Sequence, residues 1–176
     1  MLSKLVDDLY ELSLADVGAL TYRKSPCDLN ELLETVVAMF QERCNAAGLK
    51  VELKLPEQPL LLEADAKRLQ QLFGNLLENA VRYTDAGGQL VISASADGDD
   101  VLVSLMDSGP GVDPQQLPRL FERFYRGEAS RNRASGGAGL GLAICHSIVL
   151  AHGGSLTADH SPLGGLWLSL RLPRKV

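Results

Sequence analysis

Residues 65–88 read DAKRLQQLFGNLLENAVRYTDAGG, and the rest of the chain is best understood outward from them. Leu69, Leu72, Phe73, Leu76, Leu77 and Ala80 recur at steps of three and four, the period of a helix with one buried face. Asp65 has the side chain to cap its first turn, and Asp85-Ala-Gly-Gly88 ends it. Asn75 and Asn79 are four apart and Arg82 three further, so they share a face away from the leucine stripe. An amide oxygen is a hard ligand suited to Mg²⁺, and a guanidinium pairs with phosphate oxygens. That face therefore fits a Mg²⁺-bound polyphosphate, with Tyr83 placed to stack on a base. Taken on this helix alone, it equally fits a solvated polar surface whose amides bond nearby backbone.

Two glycine-rich turns follow in order. Asp107-Ser-Gly-Pro-Gly111 ends a strand, and Gly109 and Gly111 allow a tight turn and close approach of backbone to a ligand. The Asp107 carboxylate can accept an exocyclic amine, although by itself the segment also reads as a plain Asp-Ser-Gly-Pro turn. Gly136-Gly-Ala-Gly-Leu-Gly141 opens a helix, whose N-terminal N–H groups and positive dipole end suit a phosphate. The spacing is neither the dinucleotide fingerprint nor a P-loop, since no third glycine or alanine falls at the required place and no Gly-Lys-Ser/Thr occurs.

Around these motifs the patterning alternates irregularly between helix and strand. Asp28, with Glu31 three residues on, opens a capping-box helix ending near Gly48, with Leu32, Val36, Met39 and Phe40 as its expected buried stripe. Strands are expected at 49–55, 60–63, 89–96 and 101–106, with Asp97-Gly-Asp-Asp100 as a solvated hairpin turn. The long stretch 110–138, broken by a short helical piece at 115–121, reads as a functional loop. A helix from Gly139 to about Ala151 and a closing hairpin, 155–160 with 166–172, complete the chain. Such a mixture predicts a mixed sheet with helices on one face, a two-layer α/β sandwich. Leu2, Leu5, Leu9 and Leu12 form a seam for a partner helix or for this chain's own core, and Arg23-Lys-Ser-Pro26 reads as a linker.

The 176 residues carry a net charge of −5, which argues against general nucleic-acid binding. Residues 119–133 are locally basic, with five Arg against two Glu, a charge that can serve a bound phosphate. Three widely spaced cysteines exclude a disulfide framework and fit a reducing compartment. No apolar run is long enough to span a bilayer, so the chain as given is expected to be soluble. His146, His152 and His160 lack metal-ligand spacing, and no Gly-x-Ser-x-Gly elbow or Cys/His pairing supports a Ser or Cys nucleophile.

In order, QLFGNLLENAVRYT, DSGPGV, FERFYR, GGAGLGLAI and the late GGLW resemble the N, G1, F and G2 boxes and final hairpin of bacterial sensor histidine kinases, over residues 25–173. The opening LSKLVDDLYELSLADVGALTYRK resembles the end of the second dimerisation helix in envelope-stress sensors of that family. The resemblance implies a Bergerat-type α/β fold (α+β), a two-layer sandwich of a mixed five-stranded sheet and three helices shared with gyrase, Hsp90 and MutL. It divides the chain into residues 1–24, helix end and linker, and 25–176, an ATP-binding catalytic domain with a lid at about 110–138.

By that match Asn79 coordinates Mg²⁺ beside Asn75, and Arg82 stands where many members have Lys and meets phosphate as a planar fork. Tyr83 lines the adenine pocket, Asp107 binds the adenine amino group, and Gly109 and Gly111 shape that pocket. Arg126 reaches the phosphates from the lid, while Gly137, Ala138, Gly139, Leu140, Gly141 and Leu142 cradle them. Phe121 and Phe124 anchor the lid, and Glu128 to Gly137 is expected to be mobile. The ligands implied are ATP or ADP with Mg²⁺.

The family's phosphoacceptor His precedes an acidic residue, but His146, His152 and His160 precede Ser147, Gly153 and Ser161. The acceptor is therefore expected on a dimerisation domain absent from this chain, with a response regulator as the onward partner. The setting implied is the cytoplasmic part of a homodimeric bacterial inner-membrane receptor. A nucleotide-sensing docking module without transfer activity, or another ATPase of the same superfamily, are the alternatives.

Overall fold

The computed structural model describes residues 2–18, 20–123, 125 and 140–175. In chain order these form α1 (Leu2–Asp16), β1 (Ser25–Asp28), α2 (Leu29–Ala46), β2 (Lys50–Lys54), β3 (Leu61–Ala64), α3 (Ala66–Tyr83), β4 (Gln89–Asp97) and β5 (Asp100–Asp107). A short 3-10 turn at Leu117–Arg119 follows, then α4 (Gly141–Ala151), β6 (Ser155–His160) and β7 (Leu166–Pro173). Five strands make one mixed sheet in the order β2-β4-β5-β7-β6. Only β2 and β4 run parallel; the other neighbours are antiparallel.

Alternation explains both faces of that sheet. Leu90, Ile92, Val101, Val103, Leu105, Leu168, Leu170 and Leu172 turn inward and are buried in one core with the helices. On the outer face one register row is wholly polar, Ser93, Ser104, Ser169 and Thr157, beside a row of Val91, Met106 and Trp167. Trp167 Nε1 donates to Ser104 Oγ in the neighbouring row at 2.7 Å. The two-layer sandwich is therefore as expected. At the β4–β5 turn Asp97 and Asp100 are not merely solvated, because Arg171 reaches both, at 3.0 and 2.7 Å.

The helical layer departs from expectation in three places. Four helices are described rather than three, because α1 joins the fold: Leu12 is buried and Leu5 and Leu9 pack on the core. Leu5, Leu9 and Leu12 of the seam thus face this chain's own interior. Glu11 ties it down by accepting from Arg68 Nη1 at 3.0 Å and Gln71 Nε2 at 2.7 Å. Second, the end of the expected linker, Ser25 and Pro26, begins β1, which pairs antiparallel with β3 as a separate two-stranded sheet. Third, α2 buries Leu29, Leu33, Val36 and Cys44 with Leu32 and Phe40 packed at the core's edge, so of the expected stripe Met39 alone, 62% exposed, points away. Adjacent apolar pairs at 32–33 and 36–37 offer two helical stripes, and the sheet selects the one through Leu33.

At its start α2 is capped by Asp28, whose Oδ1 accepts from Asn30 N at 3.0 Å and from Leu60 N at 3.2 Å. The N–H of Leu60 takes the place expected of a capping-box partner, so the cap also fastens the chain entering β3. On α3, all six residues of the predicted stripe are buried.

Candidate functional site

The polar side chains of α3 stand where its amphipathic pattern puts them. With Leu72, Leu76 and Leu77 facing the core, Asn75, Asn79, Arg82 and Tyr83 sit half-buried along one side. Asn75 Nδ2 is buried and has no hydrogen-bond partner among the described residues. The adjacent Cys145 thiol donates toward Leu72 O at 3.5 Å, and sulfur is a weak acceptor, so it does not satisfy that amide. Burial pushes the Cys145 thiol far up, with Asn75 opposing, so this cysteine is no thiolate nucleophile. Arg82 Nε pairs with Glu78 at 3.2 Å, and Glu78 pairs in turn with Arg43 of α2 at 2.6 Å.

Asp107 is the last inward-facing residue of β5, continuing the row Val101, Val103 and Leu105. Its Oδ1 accepts from Gly109 N and from Leu166 N, both at 3.0 Å. Both bonds fall on one oxygen, which leaves Oδ2 as the atom able to receive a further donor. Burial raises the Asp107 pKa, and the N–H groups of Leu166 and Gly109 only partly offset it. Backbone brings three segments together here: Asp85 N donates to Gly109 O at 2.9 Å, and Gly165 N donates to Asp107 O at 3.1 Å. Thr84, buried at the C-cap of α3, has an Oγ1 without a partner among the described residues.

Glycine is required at two of these positions. Gly109 has φ +100°, where a side chain is strained, and a Cβ there would come within 2.9 Å of Gly164 O. At Gly165 a Cβ would overlap Asp107 Oδ1 and press on Gly109 N. The Asp107 turn and the β6–β7 turn are therefore built as one unit. Sequence reasoning named Asp107, Gly109 and Gly111 as candidate site residues and read Gly165 and Leu166 only as part of the final hairpin. The available signal was the Gly164-Gly165 pair, legible as a turn, since a backbone donor has no side chain to announce it.

Leu140, Gly141 and Leu142 lie at the start of α4, whose N-cap position, Leu140, makes no side-chain capping bond. Arg126, Gly136, Gly137, Ala138 and Gly139, with Phe124 and the stretch 128–137 expected to be mobile, lie outside the described residues. Phe121 does anchor the segment before them, stacking on His146 with centroids 5.3 Å apart. Arg123 adds an ion pair to Asp16 at the end of α1. Among the described residues no group of three or more His, Cys, Asp or Glu is placed to hold a metal. No described helix is long and apolar enough to cross a membrane.

Residues 64–176 match the model of the histidine kinase-, DNA gyrase B- and HSP90-like ATPases, well over half of the chain. The chain belongs to this ATPase family. Within the family it is 55% identical, over 98% of its length, to the signal transduction histidine-protein kinase BaeS of Escherichia coli (strain K12). It spans only 37% of BaeS. Among solved structures it resembles the histidine kinase AdeS of Acinetobacter baumannii, with TM-score 0.81 and 29% identity over 98% of this chain and 78% of AdeS. It also resembles full-length ShkA in complex with AMPPNP, with TM-score 0.84 and 32% identity over 98% of this chain and 35% of that one. Its fold is thus that of the ATP-binding catalytic part of sensor histidine kinases.

Proposed function

We propose that this chain binds ATP with Mg²⁺ and delivers its γ-phosphoryl to a histidine on a dimerisation domain of the same receptor, for onward transfer to a response-regulator aspartate. In this reading residues 1–24 end the dimerisation helix and join it to the catalytic domain, 25–176. The receptor works as a membrane-anchored homodimer with this part on the cytoplasmic side. The observation that carries the reading is the Asp107 carboxylate, with Oδ1 fixed by two backbone N–H groups and Oδ2 left to receive an amine.

The residues present fit such a ligand. Asp107 accepts the exocyclic amine of adenine, and Tyr83 borders the ring. Asn75 has in its buried, unpartnered Nδ2 a donor for a phosphate oxygen. Asn79 offers an amide oxygen to Mg²⁺, an ion that commonly takes few protein ligands and completes its shell with phosphates and water. The Arg82 fork meets phosphate charge, joined by Arg126 and by the backbone N–H groups of Gly137, Ala138, Gly139, Leu140, Gly141 and Leu142. Bound Mg²⁺ supplies charge neutralisation; the chain supplies position, and positioning with electrostatics makes up most of phosphoryl-transfer catalysis.

Calorimetric titration of ATP and ADP, with and without Mg²⁺, tests the reading. Asp107→Asn should weaken adenine nucleotide binding about ten- to hundred-fold, and Asn79→Ala should remove its dependence on Mg²⁺. Unchanged affinity in both variants would overturn it. For transfer, the chain is mixed with the isolated dimerisation segment, ATP and Mg²⁺. Acid-labile phosphate on that segment's histidine is the expected product, and binding without transfer would instead indicate a docking module.

A further inference from the structure

We propose that Arg43 and Glu78 are positioning residues for the nucleotide phosphates, acting through Arg82; this rests on the phosphate role given to Arg82 above. Glu78 stands one turn before Arg82 on α3, the favourable order for such a pair, and its Oε1 meets Arg82 Nε at 3.2 Å. The other oxygen, Oε2, meets Arg43 Nη2 of α2 at 2.6 Å. Arg43 is steadied in turn by Phe40, whose ring centroid lies 4.9 Å from the guanidinium carbon. The Glu78 and Arg82 side chains are 26% and 27% exposed, so solvent screens their pairing only in part. Arg82 has interactions beyond this pair as well.

One carboxylate is thus divided between two guanidinia from different helices. Glu78 orients the Arg82 fork but competes with phosphate oxygens for it. Arg43 occupies half of the same carboxylate and so weakens its hold on Arg82. The two residues consequently act on phosphate affinity with opposite signs, which no common role in stability would produce.

The test is ATP, ADP and adenosine affinity by calorimetry for Glu78→Gln, Arg43→Gln and Arg82→Ala, and for each of the first two combined with the third, with thermal midpoints measured alongside. Glu78→Gln should tighten ATP by about two- to five-fold and Arg43→Gln should weaken it by a similar factor. Both shifts should shrink at high salt, leave adenosine unchanged and vanish in the Arg82→Ala background. Shifts of the same sign, equal shifts for adenosine, or shifts that persist without Arg82 would overturn the inference. If Arg82→Ala itself leaves ATP affinity unchanged, the phosphate role of Arg82 fails first. If it weakens ATP while the other two variants are silent, only the present inference fails. Arg43→Gln, at a half-exposed position on α2, keeps the test decisive should Glu78→Gln not fold.

Discussion

Asp65 and Asp107 are both aspartates at the end of an element, each held by two backbone N–H groups, yet the protein drives their protons in opposite directions. Asp65 spreads its bonds: Oδ1 accepts from Arg68 N at 3.2 Å and Oδ2 from Arg23 N at 2.9 Å. Burial pushes its pKa up, but these N–H groups, with the Arg68 guanidinium and His152 nearby, bring it below the usual carboxylate value. Asp107 concentrates both bonds on one oxygen over the bulk of the sheet, where burial outweighs them and raises its pKa. A carboxylate whose oxygens are all engaged is a structural cap. One left half-satisfied in a buried place costs stability and is available to a ligand, a common trade at functional sites.

The severest way to break the contrast is Gly165→Ala, because the new Cβ overlaps Asp107 Oδ1 and the turn behind it is backbone. Both properties of the Asp107 turn should then suffer: a loss of about 3 kcal/mol in unfolding free energy by denaturant titration, together with loss of nucleotide binding. Asp107→Asn separates the two properties. It keeps an oxygen for Gly109 and Leu166 but puts an amide where the amine must be accepted. ATP should weaken about ten- to hundred-fold by calorimetry, while stability near neutral pH holds or rises. Asp65→Asn should do the reverse: with an amide nitrogen in place of one oxygen it cannot accept from both Arg23 N and Arg68 N, so it should cost about 1–2 kcal/mol in the same denaturant assay and leave ATP affinity unchanged.

Acid titration of stability sharpens the same opposition. Asp107 holds its proton more tightly folded than unfolded, so its cost to stability grows as pH rises from about the ordinary 3.8 through its raised folded value. The advantage of Asp107→Asn over the parent should therefore disappear in acid below that window and be complete at neutral pH. Asp65, with its folded value lowered, contributes stability above 3.8 and loses it as pH falls through the folded value, so the deficit of Asp65→Asn should close in acid.

The smallest effect is at His152. Its Nε2 accepts from Asp65 N at 3.0 Å and its Nδ1 lies 2.8 Å from Ile148 O, which assigns the neutral Nδ1–H tautomer. Burial lowers its pKa, and nearby Lys24 pushes the same way against the Ile148 bond and Asp65. Its stabilisation is complete above 6.5 and fades as pH falls through the lowered folded value, a titration that ¹⁵N imidazole shifts would follow.

How much of this was legible beforehand divides along the same line between side chain and backbone. The α3 stripe, the Asp65 cap and the two-layer sandwich follow from periodicity and capping chemistry, which are written in side chains. β1 was not legible, because Ser25-Pro-Cys-Asp28 has no alternation and a proline, and it exists only through its pairing with β3. On α2 the expected Val36 is buried and Leu32 and Phe40 pack on the core, but Met39 is exposed and Leu33 is buried, because the sequence offers two adjacent apolar stripes. At the candidate site, Asp107 and the asparagines could be nominated from their side chains, while the Gly165 and Leu166 N–H groups that build the turn could not.

One consequence of the sheet order concerns folding. β2 and β4 are parallel neighbours, so the chain must pass through β3 and α3 before that ladder can close. The helix carrying Asn75, Asn79 and Arg82 is the crossover itself, and such non-local pairings are slow to form because loop closure comes before its reward. Closing this edge of the sheet and setting the asparagine helix in place should therefore be coupled in folding. A backbone cut between Thr84 and Gly88 would separate β4 from the helix that delivers it, and hydrogen-exchange protection should then fall together in α3 and β2.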